Sequence, residues 1–140
     1  MRSTGSLDLI SGAAGEGLFF LALHALTGAA EELAWAEATG EATHAMGAVL
    51  GACLCHGTPG NAALFLALHR RTGAAVWRER AEAFARVAWE SRTLADGRPR
   101  WPSVDGTNSF NPGLMVGAAG VGHLFLQLAH PDTVRMPLTD

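Results

Sequence analysis

Gly57-Thr-Pro-Gly60 followed by NAALFLALHRRTG (Asn61–Gly73) decides how the chain is read, because the pattern occurs three times. Gly12-Ala-Ala-Gly15 opens an earlier copy that continues as GLFFLALHALTG from Gly17. Gly117-Ala-Ala-Gly120 opens a later one that continues as GHLFLQLAHP from Gly122. Superposing the glycines brings Phe20, Phe65 and Phe125 together, and likewise Leu21, Leu66 and Leu126. His24 then matches His69, and Thr27-Gly28 matches Thr72-Gly73. Self-similarity of this kind marks a repeat architecture.

Each repeated segment is apolar nearly all round, poor in β-branched residues and about 14 residues long, which predicts a buried helix rather than a strand. Thr-Gly closes the first two, since glycine accepts the left-handed conformation at a helix C-terminus, and His130-Pro131 closes the third. Between them lie amphipathic segments. From Ala74 to Leu94, Trp77, Ala81, Phe84, Val87 and Ala88 recur every three or four residues, predicting an outer helix with one buried stripe. Ala29–Ala38 starts a second outer helix, which Gly40 is expected to interrupt. Residues 95–112, rich in Gly, Pro, Asp and Asn, read as a long loop.

Apolar inner helix followed by amphipathic outer helix, repeated, defines an all-α fold: a partial α/α toroid with Gly-x-x-Gly at the inner-helix starts. Glycine there lets backbone approach backbone, with free N–H groups expected to face a central cavity. One domain over 1–140 is expected, with repeats at approximately 9–53, 54–110 and 111–132.

Composition narrows the function. Of 140 residues, 49% are hydrophobic and 16% charged, which argues against disorder. The net charge is −3, and every one of the ten fixed cations is arginine, so nothing favours nucleic acid or an anionic membrane surface. No apolar run is long enough for a membrane span, and Met1–Ile10 lacks the core of a secretory signal. The two cysteines, Cys53 and Cys55, lie too close in sequence to staple a fold, so a reduced, cytoplasmic setting is expected.

The chemistry concentrates just before the second Gly-x-x-Gly. Cys55-His56 offers a thiolate and an imidazole, donors that suit Zn2+. Taken alone the pair also fits a buried cysteine beside a capping histidine. His24 and His69 sit near helix C-termini, where a positive charge is favoured, and read as structural. His44 reads as exposed and His130 as a terminator. His123, three residues after Gly120, is placed to face the cavity. Trp35, Trp77 and Trp89 read as packing residues, whereas Trp101, beside Arg98 and Arg100, is the tryptophan best placed to meet a peptide. Glycoside hydrolysis needs two spaced carboxylates, and only Glu16 and the loop residue Asp105 are on offer.

Residues 53–61, CLCHGTPGN, resemble the CHGxxGN-type motif of lanthionine synthetase C-like proteins. SGAAGEGLFFLAL (11–23) and NPGLMVGAAGVGHLFLQLAHP (111–131) are similar to other segments of that family, so the resemblance covers most of the chain. It implies an α/α barrel around zinc, with Cys55 and His56 as two ligands. The implied reaction adds a peptide cysteine thiol to dehydroalanine or dehydrobutyrine, forming a thioether; some relatives add glutathione instead. A nearby acid protonates the enolate, and His123 is the candidate here. The family takes its third ligand from a WCxG cysteine one repeat earlier, where this chain has Ile10. Cys53 is the candidate substitute. The implied partners are a peptide with dehydrated Ser or Thr and a second copy or another chain completing the toroid. The competing expectation is a catalytically incomplete toroid fragment that binds peptides or assembles with a partner.

Overall fold

The computed structural model describes residues 12–48, 51–102 and 110–136. Ile10 and Asp105, which figured in the sequence reading, lie outside them. Among the described residues the chain forms α1 (Ala13–Thr27), α2 (Ala30–Met46), α3 (Thr58–Thr72), α4 (Ala75–Glu90), a short hairpin of β1 (Thr93–Ala95) and β2 (Arg98–Arg100), and α5 (Ala118–Ala129). Helices α1 and α2 form one hairpin, α3 and α4 the next. Helix α3 packs between α1 and α5, while α2 and α4 lie behind and touch the following inner helix. This is the expected all-α partial toroid, an inner row of three helices with an outer row of two.

Both helix hairpins turn by one device. Gly28 and Gly73 take φ of 73° and 72°, and each N–H bonds back to the carbonyl of His24 or His69. The same histidine reaches across the turn, its Nδ1 donating to the carbonyl of Ala29 (2.9 Å) or Ala74 (3.0 Å). The structural role expected of these histidines thus includes a hydrogen bond that closes the turn. The threonine hydroxyl completes the clamp by accepting from the N–H of Ala29 or Ala74, 3.2 Å in each case.

Burial is uneven along the inner row. Helix α3 buries ten residues, from Thr58 to Leu68, and is enclosed on every side from Thr58 to Leu66. A buried Leu or Phe stabilises by roughly 1.5–3 kcal/mol, so α3 supplies the centre of the core. Phe65 stacks on Trp77 at 6.1 Å between centroids and meets Phe84 edge-on at 5.0 Å. Helices α1 and α5 were expected to be equally enclosed, but each buries one face: Phe19 and Leu26 of α1 and Leu126 of α5 are exposed.

Three sequence expectations change. Gly40 does not interrupt α2; a Cβ there would lie 2.6 Å from Leu68 Cδ1 and 2.8 Å from the Trp77 ring. The glycine gives Trp77 and Leu68 room to close on an unbroken helix. The long loop begins instead as a β-hairpin, in which Asp96 and Gly97 take φ of 52° and 72° and Thr93 pairs with Arg100. Positive φ at two successive turn residues is the signature of an Asp-Gly hairpin turn. Trp101 is buried rather than poised for a peptide. Its indole N–H donates to the Ala88 carbonyl at 2.7 Å, and its ring packs against Trp89 and Phe125.

Candidate metal centre

The loop that enters α3 is shaped by its glycines. Gly57 is extended, and a Cβ on it would lie 2.2 Å from the Gly51 carbonyl oxygen and 2.7 Å from that of Cys53. Only a residue without a side chain lets residues 51–57 fold this tightly onto the helix start. The first helical N–H, that of Thr58, donates to Gly51 O at 2.9 Å. The third inner helix begins the same way, with Ala118 N–H donating to Asn111 O at 2.8 Å. These amides were expected to face the cavity; the loop carbonyls take them instead.

Folding residues 51–57 back in this manner brings three donors together. One ligand atom from each of Cys53, Cys55 and His56 falls within a 4.8 Å cluster, the sole group of three potential metal-ligating side chains among the described residues. Cys53 Sγ and Cys55 Sγ are 3.7 Å apart, and His56 Nδ1 lies 2.8 Å from Cys55 Sγ. The His56 backbone N–H donates to Cys53 Sγ at 3.4 Å. Both cysteines are buried and free, while His56 is exposed. Two ~2.3 Å zinc–sulfur bonds at a tetrahedral angle hold their sulfurs about 3.8 Å apart. The spacing of the two thiols fits such a centre, whereas His56 Nδ1, 2.8 Å from Cys55 Sγ, would have to swing out to about 3.5 Å to join it.

Electrostatics bear on how the site would load. Burial, reinforced by the adjoining Cys53 sulfur, pushes the Cys55 thiol up to about 11. Without a cation it is a neutral thiol at physiological pH, so uptake of a metal has to displace its proton. The cluster therefore combines soft donors with a demand for positive charge.

The remaining sequence candidates lie elsewhere. His123 is on α5 and outside the cluster; its Nδ1 accepts from Gln127 Nε2 at 2.8 Å. Cys53, expected only as a substitute for the ligand that position 10 lacks, has its sulfur 3.7 Å from that of Cys55. Sequence reading also passed over Asn61. It is fully buried one turn into α3, and neither its amide nitrogen nor its amide oxygen has a partner. A polar residue inside an apolar inner helix was the signal available.

A row of inner helices opening on Gly-x-x-Gly, backed by outer helices, with a Cys/Cys/His cluster at the start of one of them, defines an all-α partial toroid with a candidate metal centre. The sequence profile described as Lanthionine synthetase C-like protein matches residues 11–139, and the chain belongs to that family. Comparison with curated proteins finds no match. No helix among the described residues is long and apolar enough to cross a membrane.

Proposed function

We propose that Cys55, His56 and Cys53 hold Zn2+ and that the chain joins a peptide cysteine thiol to dehydroalanine or dehydrobutyrine. The observation that carries this reading is the 4.8 Å cluster of two thiols and an imidazole at the start of the most buried inner helix. Zinc bound there would lower the pKa of an incoming thiol, so that thiolate is available near neutral pH. In the addition, a bond forms between the peptide sulfur and the β-carbon. The double-bond electron pair moves to the α-carbon, one proton leaves the thiol and one arrives at that carbon.

The chain's own residues have separate tasks in this scheme. Cys53 and Cys55, fixed by the tight loop, present their sulfurs without side-chain rearrangement. His123 is the proposed proton donor: because Nδ1 accepts from Gln127, a neutral ring carries its proton on Nε2. A partner chain or second copy is proposed to complete the toroid, and a cytoplasmic setting, which keeps thiols reduced, belongs to the same proposal. The domain is proposed as one unit over 1–140, with repeats at 9–53, 54–110 and 111–132.

Zinc content of purified protein tests the reading. About one equivalent is expected, falling on Cys55→Ala and on Cys53→Ala; less than about 0.2 equivalents in the parent, unchanged by either substitution, overturns it. A second reading has its own observation. Phe19 and Leu26 on α1 and Leu126 on α5 are exposed at the two edges of the inner row, as in a catalytically incomplete fragment that binds a peptide or assembles with a partner. Size-exclusion chromatography with light scattering separates the two: a stable monomer that does not bind a hydrophobic dye argues against an obligate partner.

A further inference from the structure

The geometry points to a second site, at the opposite end of the inner helices, that binds an acidic peptide segment. Between α1 and α3 lies a cleft of about 540 Å3, within the roughly 300–1,000 Å3 range of pockets that accept small ligands. Its apolar surface comes from Leu18, Leu21, Leu26 and Ala67, and its charge from Arg70, Arg71 and Arg135. Among the described residues, no acidic one lines it. In a chain of net charge −3, three of the ten arginines meet at this one cleft.

Helix-end electrostatics account for part of the cluster and not for the whole. Arg70 and Arg71 lie in the last turn of α3, where cations favour the helix dipole. Arg135 has no such reason to be there: it belongs to the segment after α5, and it converges on the cleft from another part of the chain. Arg71 and Arg135 are exposed and make no ion pair among the described residues. The site is distinct from the metal centre, because the helix rises about 18 Å between Thr58 and Arg70.

The pattern selects the occupant. One guanidinium can hold one carboxylate through two parallel hydrogen bonds, so the exposed Arg71 and Arg135 match two carboxylates better than the single one of a fatty acid. The leucines beside them match aliphatic side chains. A peptide in which acidic and aliphatic residues alternate offers both, and this cleft would hold such a segment while the chemistry proceeds at the far end. The inference rests on the proposed function only for the presence of a peptide; binding itself needs no metal.

The test uses the full chain stripped of metal by chelator, so that failure of the zinc reading leaves it intact. Fluorescence anisotropy compares a labelled (Leu-Glu)4 peptide with its (Leu-Gln)4 counterpart, with sodium decanoate as competitor. The acidic peptide is expected to bind at least about tenfold more tightly, and Arg71→Gln with Arg135→Gln to weaken it about fivefold or more, with higher salt acting in the same direction. Both positions are exposed, and an unchanged thermal melt confirms that the double variant is folded. Equal affinity for the two peptides, an affinity untouched by the double substitution, or no peptide binding overturns the proposal. Decanoate binding that depends on the arginines, with no peptide binding, overturns it in favour of a fatty-acid site.

Discussion

Two loops of this molecule share a backbone and differ in chemistry. Residues 51–57 lead into α3 and residues 111–117 into α5, each through an extended stretch, a turn and a glycine N-cap. In both, the first helical N–H returns to the carbonyl six residues before the glycine, and a Cβ on the glycine would strike that same oxygen, at 2.2 Å for Gly57 and 2.1 Å for Gly117. The loops even touch at equivalent positions, since Cys55 N–H donates to Met115 O at 2.9 Å. Yet Cys53, Cys55 and His56 in one loop stand where Gly113, Met115 and Val116 stand in the other. The glycine-bound turn is a structural device of the repeat. The cluster of potential metal donors is an addition carried by one of these two loops.

If the turn is the shared device, its glycines should matter equally in both loops. Gly57→Ala and Gly117→Ala are each expected to destabilise by about 3 kcal/mol, because the obstacle is a backbone carbonyl and not a mobile side chain. Gly122→Ala, on α5 with nothing within 4 Å of the added methyl, should instead stabilise by up to about 1 kcal/mol through helix propensity. Urea unfolding of the three variants measures the contrast. A Gly117→Ala protein as stable as the parent would break the equivalence of the loops.

The shared device was legible in sequence because it is made of residue identities. Glycine spacing, the Thr-Gly stops and the matched His24 and His69 all follow from local backbone needs that recur with each copy. What escaped depended on contacts distant in the chain. Gly40 looks like a helix breaker until Trp77 is seen against it. Trp101 looks free until its indole meets the Ala88 carbonyl. The Asp96-Gly97 turn was readable in principle, but the surrounding prolines and glycines outweighed it. At the site, Cys55-His56 was legible as a motif, whereas the place of Cys53 beside them required the loop's curvature.

Titration separates the loops next. The chain has no Tyr, and none of its ten basic residues is Lys, so above pH 9 the cysteine thiols are the side chains left to ionise. An unfolded thiol ionises near 8.5–9, whereas Cys55 in the fold is held up to about 11. The folded state therefore keeps a proton that the unfolded state has lost, and stability falls as pH rises through that window. The contribution is complete below about pH 9 and amounts to on the order of 2 kcal/mol across the shift. Unfolding of metal-free protein from pH 8 to 11.5 should show this decline, and Cys55→Ala should flatten it. The loop carrying Met115 has no such group, and a decline that persists in Cys55→Ala would mean that Cys55 is not what distinguishes the two loops in this window.

The smallest expected effect concerns the residue four places beyond each N-cap glycine. Asn61 and Val121 are equivalent and both fully buried, but only Asn61 brings an amide, and that amide bonds to nothing. Leaving a buried polar group without a partner costs roughly 1–3 kcal/mol. Asn61→Val, which makes α3 like α5 at this position, should therefore raise the stability of metal-free protein by about 1 kcal/mol. Differential scanning calorimetry measures the gain. Such a gain, accompanied by lower zinc occupancy, would show that Asn61 is kept for the loaded site at the expense of the empty fold. A loss of stability would show instead that the amide finds a partner in solution and that the α3 start is held by more than its glycines.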